Sequence, residues 1–438
     1  MIRKIITLTN NKSFVIAYSG GLDSTVLLYK LIAIKKIISD IKIRAIHINH
    51  NLTLSSKKWV KHCTEHCKKN SVPLSIKNLH QDKNNSEEKL RIKRYNIMYH
   101  NLSSEEILLT GHHMNDQCET FFLSLKRGSG PTGLSGMSFE TIFGQKKIIR
   151  PFLNKTKKEL QLWAKRKNLT WIEDFSNFET HYDRNYIRHK IIPIIEKKWP
   201  FFLKNCLRTI KICREETILL NQFLLEKIQN FINFDNSLNI KYFKNIQKKT
   251  CTAYIRRWLA LQTIKMPSYN TIQSIYNEIV CSRADANPKI ILCKHEIRRY
   301  KQSIYFLKIQ KKINNTFLFW HNITTKLVLP NNLGNLIQDE RGISLPQPKT
   351  NELINIRFQY EGKILIIGRN KKRKIKKIWQ ENNIPPWLRN QIPLLFYNNT
   401  FISALGVFII NLKNRNKKKW KISWKNDFKF NNSTFSFY

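Results

Sequence analysis

A chain of 438 residues with 42% hydrophobic content has room for two or three packed domains and is too apolar to stay unfolded. Its 77 Lys and Arg outnumber 30 Asp and Glu, and the formal charge of +47 points to a polyanion, nucleic acid above all, as partner. Drift towards Lys, Asn and Ile accounts for part of that excess, while eight scattered cysteines and no apolar window of membrane-spanning length exclude a cystine-stapled fold and a helical membrane protein.

The apolar run ending at Tyr18 predicts a strand over Ser13–Tyr18, and Val26-Leu27-Leu28-Tyr29 predicts a helix over 24–38. Between them stands Ser19-Gly20-Gly21-Leu22-Asp23-Ser24-Thr25. Strand, glycine turn and helix start aim backbone N–H groups and the positive end of a helix dipole at one point, where a phosphate can sit. Gly20 and Gly21 let an anion approach the main chain. Asp23 places a carboxylate in that cradle, which makes sense if Mg²⁺ bridges it to phosphates, and Ser19, Ser24 and Thr25 add hydroxyls. No G-K-[ST] follows, so this is not the loop that transfers a γ-phosphate.

Further strands are predicted over Ile43–Asn49, Pro73–Lys77, Ile107–Thr110 and Lys147–Arg150, with helices over 56–70, 87–101, 115–126 and 157–168. The last helix opens with a capping box, Thr156 to Glu159. Such alternation predicts a doubly wound, mostly parallel sheet that binds ligands beyond its carboxyl edge. The second strand runs into His47-Ile48-Asn49-His50-Asn51-Leu52, a polar cluster suited to a base or ribose. His62, Cys63, His66 and Cys67 share the next helix; with no second ligand cluster they read as a core stripe rather than a zinc site. The helix after that aligns Glu87, Arg91 and Arg94, either to clamp polyphosphate or RNA or to form surface ion pairs.

The fourth strand leads into Gly111-His112-His113-Met114-Asn115-Asp116-Gln117-Cys118-Glu119-Thr120. Asp116 and Glu119, three apart on the first turns of a helix, can hold Mg²⁺, receive a cationic substrate, or simply charge the helix start. The glycine-rich basic loop over 126–137 reads as a flap. Trp171–Asn177 and then Asp183–Arg188, with two more arginines, close this part of the chain. The expected organisation is a catalytic domain over 1–195, a helical RNA-binding domain over 196–315, a linker over 316–350 and a small α+β domain over 351–438. The tail Lys417–Lys425, with Trp420 and Trp424, suits stacking on RNA or a solvated end. The stretch after the basic Met1–Ile6 is too short for a secretory signal, so the expected setting is cytoplasmic.

Together these strings resemble the tRNA(Ile)-lysidine synthetases, within the ATP-pyrophosphatase (PP-loop) superfamily, whose members split ATP between its α and β phosphates. The resemblance rests on Ser19–Thr25, Ala45–Leu52, Glu87–Tyr95, Gly111–Thr120, Leu125–Met137, Trp171–Asn177 and Asp183–Arg188. It extends to Lys376–Glu381, Ile384–Arg389 and Ile392–Tyr397, and departs at Leu90, where the family usually has Ala. It implies a Rossmann-like PP-loop domain followed by helical and α+β domains. It also implies the ligation of free L-lysine to carbon 2 of the wobble cytidine in a CAU-anticodon isoleucine tRNA, with ATP and Mg²⁺. Ser19, Gly20, Gly21, Leu22, Asp23 and Ser24 would then hold ATP, with Mg²⁺ at Asp23. Asp23, Arg91, His112, Asp116, Glu119 and Arg188 would form the catalytic set, in an enzyme whose relatives are often homodimers. The rivals are a PP-loop tRNA thiolase, which needs paired reactive cysteines or an iron–sulfur cluster, a small-molecule ligase such as an NAD or GMP synthetase, and an RNA-binding relic without ATP turnover.

Overall fold

Six strands of the N-terminal part form one sheet: β1 (Ser13–Ala17), β2 (Lys42–Asn49), β3 (Leu74–Asn78), β4 (Ile107–Leu109), β5 (Glu140–Phe143) and β6 (Lys146–Ile149). The structure is a computed structural model that describes residues 11–49, 55–79, 87–173, 175–262, 266–283, 285–412 and 418–425. Met1–Ile6, His50, Asn51, Leu52, Asp174, Lys417 and the side chain of Glu87 lie outside the described residues. The strand order is β3-β2-β1-β4-β6-β5, parallel throughout except for β5, which returns antiparallel along β6. The five strands expected from the sequence are those present in parallel. β5 was hidden because Glu140-Thr141-Ile142-Phe143 leaves its side chains half-buried or exposed, so it carries no core signal.

Alternation along β1 sorts the core into two layers. Phe14 and Ile16 pack on one face with Leu27, Leu31, Cys63, Cys67 and Leu160. Val15 packs on the other with Ile46, Met98, Leu102, Leu108 and Ile148. Helices α1 (Leu22–Lys35), α2 (Ser55–Lys69) and α5 (Lys157–Arg166) thus cover one face and α3 (Glu87–His100) the other, while α4 (Met114–Lys126) follows β4. Cys63 and Cys67 are core residues; burial pushes their thiols up to about 12 and about 11. Because β1 is flanked by β2 on one side and β4 on the other, the connections leaving them part in opposite directions and open a crevice at the carboxyl edge. A helical stretch over 183–198 (α6), with a π-helical turn at Ile187–Ile191, then packs Ile187 and Ile192 against Met114 and Cys118 of α4 and against Leu203 and Cys206 of α7 (Phe202–Gln229).

The chain divides into two compact units, 1–222 and 223–438. The second begins with β7 (Leu238–Asn239), α8 (Lys248–Leu261) and α9 (Tyr269–Ser274, continuing through Ile275–Val280). An antiparallel sheet follows from β8 (Lys289–Leu292), β9 (His295–Tyr300) and β10 (Ser303–Lys308), in the order β7-β10-β9-β8. Trp258, Ile275, Ile297 and Ile304 lie at its core. The helices expected here are present, and the sheet is an addition. His295-Glu296-Ile297-Arg298-Arg299-Tyr300 buries only Ile297, and that charge masked the strand.

The rest is β-rich: β11 (Leu318–Phe319), β12 (Leu327–Val328), β13 (Asn335–Pro346), β14 (Ile354–Arg357), β15 (Lys363–Ile364), β16 (Arg373–Lys374), α10 (Ile375–Glu381), β17 (Leu394–Tyr397), β18 (Thr400–Ala404), β19 (Phe408–Ile409) and β20 (Lys419–Lys425). Residues 316–350, expected as a linker, carry three of these strands. β13 pairs with β20 along its length except for an irregularity between Gln338 and Ile343, where Asp339, Glu340, Arg341 and Gly342 broke the apolar pattern. The basic tail also differs from expectation. Trp420 is buried and donates its indole N–H to the Tyr397 hydroxyl at 2.7 Å, and Trp424 donates to the Leu333 carbonyl at 2.7 Å. These two indoles hold a β-sheet and are not free to stack on RNA. No helix among the described residues is long and apolar enough to cross a membrane.

Candidate active site

The turn between β1 and α1 is held by its own hydroxyls. The Ser19 and Ser24 Oγ atoms lie 3.0 Å apart, Ser24 Oγ donates to the Gly21 carbonyl at 3.1 Å, and the Ser19 N–H donates to Ser24 Oγ at 3.2 Å. Gly21 caps α1 without a side-chain bond, so the first-turn N–H groups face a prospective anion. Leu22 contributes only backbone to that cradle, its side chain being in the core. His47, expected at the nucleotide, is buried beneath the turn with Nδ1 2.9 Å from the Tyr18 carbonyl oxygen.

Gly20 has φ +82°, and a Cβ there would lie 2.9 Å from Cys63 Sγ. Gly20→Ala therefore meets both a left-handed backbone, costing about 1–2 kcal/mol, and a packed thiol. The variant is expected to melt lower and to bind ATP more weakly, as calorimetry and ATP titration would show. A melting curve unchanged from wild type would overturn that account.

The loop after β4 touches this turn. A Cβ on Gly111 would lie 3.0–3.1 Å from the Asp23 carbonyl carbon, Cβ and carbonyl oxygen. His113 joins the two loops: its Nε2 lies 3.6 Å from Asp23 Oδ2 and its Nδ1 3.5 Å from Asp116 Oδ2. His113 and Asp116 also form the capping box of α4, with the His113 N–H donating to Asp116 Oδ2 at 2.9 Å. One turn on, Glu119 is fully buried. It accepts from Arg188 Nε at 2.6 Å, Arg188 Nη2 at 2.9 Å and Arg184 Nε at 2.8 Å. Arg188 Nη2 also donates to Asp116 Oδ1 at 3.3 Å. The result is a ladder of ionisable side chains: Asp23, His113, Asp116, Arg188, Glu119, Arg184.

Burial pushes the Asp23 carboxyl above its ordinary range, against the pull of His113. For Asp116 burial pushes the same way, but His113, His112 and Arg184 outweigh it and hold the carboxyl below that range. Asp23 Oδ1 is buried without a hydrogen-bond partner. Among the described residues no three His, Cys, Asp or Glu side chains gather as a metal-ligand set. One unsatisfied carboxylate oxygen beside a phosphate cradle fits a Mg²⁺ ion that takes most of its ligands from polyphosphate and water. The loop over 126–137 is anchored at its far end, where Met137 exchanges hydrogen bonds of 2.6 and 2.7 Å with the Gln117 amide and accepts from Arg214 at 2.6 Å.

Three family models match the chain: "PP-loop domain" over 1–195, "TilS substrate binding domain" over 238–305 and "TilS substrate C-terminal domain" over 354–424. The protein named tRNA(Ile)-lysidine synthase of Buchnera aphidicola subsp. Acyrthosiphon pisum is 67% identical over the whole of both chains. That of Serratia proteamaculans is 36% identical over 95% of this chain and 96% of its own. The chain belongs to the tRNA(Ile)-lysidine synthase family. Among solved structures, the U34-tRNA thiolase NcsA from Methanococcus maripaludis aligns over 47% of this chain and 73% of its own, at 19% identity and a TM-score of 0.41.

In this member of the tRNA(Ile)-lysidine synthase family, Asp23, Asp116, Glu119 and Arg188 lie in one connected cluster, with His112 beside it. Arg91 stands on α3, half-buried, its guanidinium 5.9 Å from the Tyr95 ring centroid. Two members of the cluster escaped the sequence. His113 sits in the same motif as His112, and only the capping geometry shows which ring bridges the carboxylates. Arg184 lies four residues before Arg188, a helical spacing that could have paired them.

His112 accepts or donates at Nδ1 to the Thr110 hydroxyl, 2.9 Å away. Burial, aided by Arg150, Arg184 and Arg91, pushes its pKa from 6.5 down to about 3. The folded chain therefore refuses a proton that the unfolded chain accepts near pH ~6.5. This contribution to stability is complete above that pH and is lost as the pH falls towards 3. His112→Gln is expected to lose less stability than wild type between pH 7 and pH 5 in urea titrations. Equal losses would refute the assignment.

Proposed function

We propose that the chain ligates free L-lysine to carbon 2 of the wobble cytidine in the CAU anticodon of tRNA(Ile), giving lysidine, AMP and pyrophosphate, and so redirects the tRNA from AUG to AUA codons. The observation that carries this reading is the contact between the ATP loop and the acidic, guanidinium-bearing cluster through His113. A nucleotide site and a site for a cationic co-substrate are then one crevice.

ATP enters with its phosphates on the first turn of α1 and the Ser19 and Ser24 hydroxyls. The cytidine O2 attacks the α-phosphorus, the bond to the bridging oxygen breaks, and pyrophosphate leaves. Asp23 would hold Mg²⁺ there, and the ion would supply charge neutralisation for the leaving pyrophosphate. Lysine's ε-amine, having lost its proton, then attacks carbon 2 and AMP departs with the O2 oxygen. An amine with an ordinary pKa near ~10.4 is almost wholly protonated at neutral pH, so a nearby carboxylate must receive or orient it. Asp116, whose carboxyl His113, His112 and Arg184 keep ionised against the effect of burial, suits orienting that ammonium group. Glu119 is saturated by two guanidinium groups and acts as a positioning residue. Arg91 and Arg188 offer positive charge to phosphate or carboxylate groups, and His112, neutral, offers a hydrogen bond.

Discrimination against the methionine tRNA, which shares the CAU anticodon, falls to the parts over 196–315 and 351–438. A cytoplasmic setting and a homodimer belong to the same reading, the latter open to light scattering. Buried Cys63, Cys67 and Cys118 speak against the thiolase. The deciding assay combines the protein with ATP, Mg²⁺, radiolabelled lysine and unmodified CAU-anticodon isoleucine tRNA, with methionine tRNA as control. Label entering only the isoleucine tRNA is expected. Pyrophosphate release without lysine incorporation would point to another nucleophile, and no ATP turnover to an RNA-binding relic.

A further inference from the structure

The second unit contains a cavity of 1080 Å³ in which β9 and β10 face the segment 383–391. That exceeds the ~300–1,000 Å³ typical of small-ligand sites. Its aromatic wall is built around Trp387, whose ring centroid lies 5.1 Å from that of Tyr305 and 6.0 Å from that of Tyr300. The Arg298 guanidinium stands 5.9 Å from the same indole. Lys308, Lys311 and Lys312 line the rim that continues from β10. The two carboxylates of the wall are already engaged. Glu296 accepts from Arg298 at 2.7 Å, and Asp235 accepts from the Ser237 N–H at 3.0 Å and its hydroxyl at 2.5 Å.

The cavity thus combines a planar π-surface with clustered cations. A duplex cannot present a base face to a recessed indole, whereas an unpaired base can.

We propose that this cavity binds an unpaired nucleotide segment of RNA. A base stacks on Trp387, and the adjoining phosphates meet Lys308, Lys311 and Lys312. Naming tRNA as the source of that segment rests on the ligase reading above; the cavity's preference for unpaired RNA does not.

The test measures binding of fluorescein-labelled single-stranded oligoadenylate, and of an RNA duplex of equal length, to the full chain by anisotropy. Trp387→Ala is expected to weaken single-strand binding about tenfold or more and to leave duplex binding near wild type, with Trp387→Phe retaining most of the affinity. The double variant Lys311→Ala/Lys312→Ala is expected to flatten the salt dependence of single-strand binding by about 1.4 in log–log slope. If Trp387→Ala does not fold, the lysine pair carries the comparison. Single-strand binding insensitive to these changes, or equal losses on both RNAs, would overturn the proposal. Lysine incorporation by the wild-type chain is run in parallel. Its absence would sink the ligase reading while the single-strand comparison still decided the cavity.

Discussion

Glu119→Ala is expected to lower the folding free energy by about 3–5 kcal/mol, the cost of stranding buried charge, and to abolish lysine ligation with it. The Glu119 side chain is wholly buried, while those of Arg184 and Arg188 retain 19% and 23% exposure, so partial solvation places the effect towards the lower end of that range. Removing the carboxylate leaves both guanidinium groups with Asp116 alone. Glu119→Gln keeps an acceptor oxygen and should fall between the two. Urea denaturation read by circular dichroism decides the matter. A Glu119→Ala midpoint close to that of wild type would mean that the arginines find other partners and that the ladder is not structural.

Asp23→Asn is expected to behave in the opposite way. Asp23 carries a raised pKa and an unpartnered Oδ1, so ionisation at neutral pH opposes folding rather than supporting it. The amide removes that charge and should leave the melting temperature unchanged or higher. Pyrophosphate release should fall by about 10²–10³, the usual loss when one preorganised electrostatic contact to a developing charge is deleted. Affinity for tRNA should be untouched. Normal turnover in Asp23→Asn would remove Asp23 from the nucleotide site. A stable but inactive protein would be the signature of a residue kept for chemistry at the expense of packing.

These two contrasting residues show what was readable beforehand. The Ser19–Ser24 turn was legible because its form lies in backbone conformation, and glycines with flanking hydroxyls mark that conformation directly in the sequence. The parallel strands were legible because both faces are covered, so Phe14–Tyr18 and Ile107–Thr110 read as unbroken apolar runs. Asp116 and Glu119 were visible as a pair, but not their difference. Asp116 caps the helix with His113 while Glu119 takes the shorter bonds from two arginines that arrive 65 and 69 residues downstream, a pairing that no local spacing encodes. The C-terminal strands were the least readable. β13 alternates weakly around its irregularity, and Trp420 in a lysine-rich tail looked like a solvent-facing indole because its partner Tyr397 is distant in sequence.

The close approach of Cys63 to the backbone of Gly20 gives the nucleotide loop a built-in chemical clock. A thiol that is buried, and whose pKa is pushed up to about 12, is shielded from alkylating agents while the loop is seated. Modification of Cys63 is therefore expected to require local opening of the core that it shares with the Gly20 turn. ATP, by pinning the same backbone, is expected to slow labelling at Cys63, read on the Cys63 peptide because Cys281 and Cys293 are exposed and label first, and this readout needs neither tRNA nor lysine.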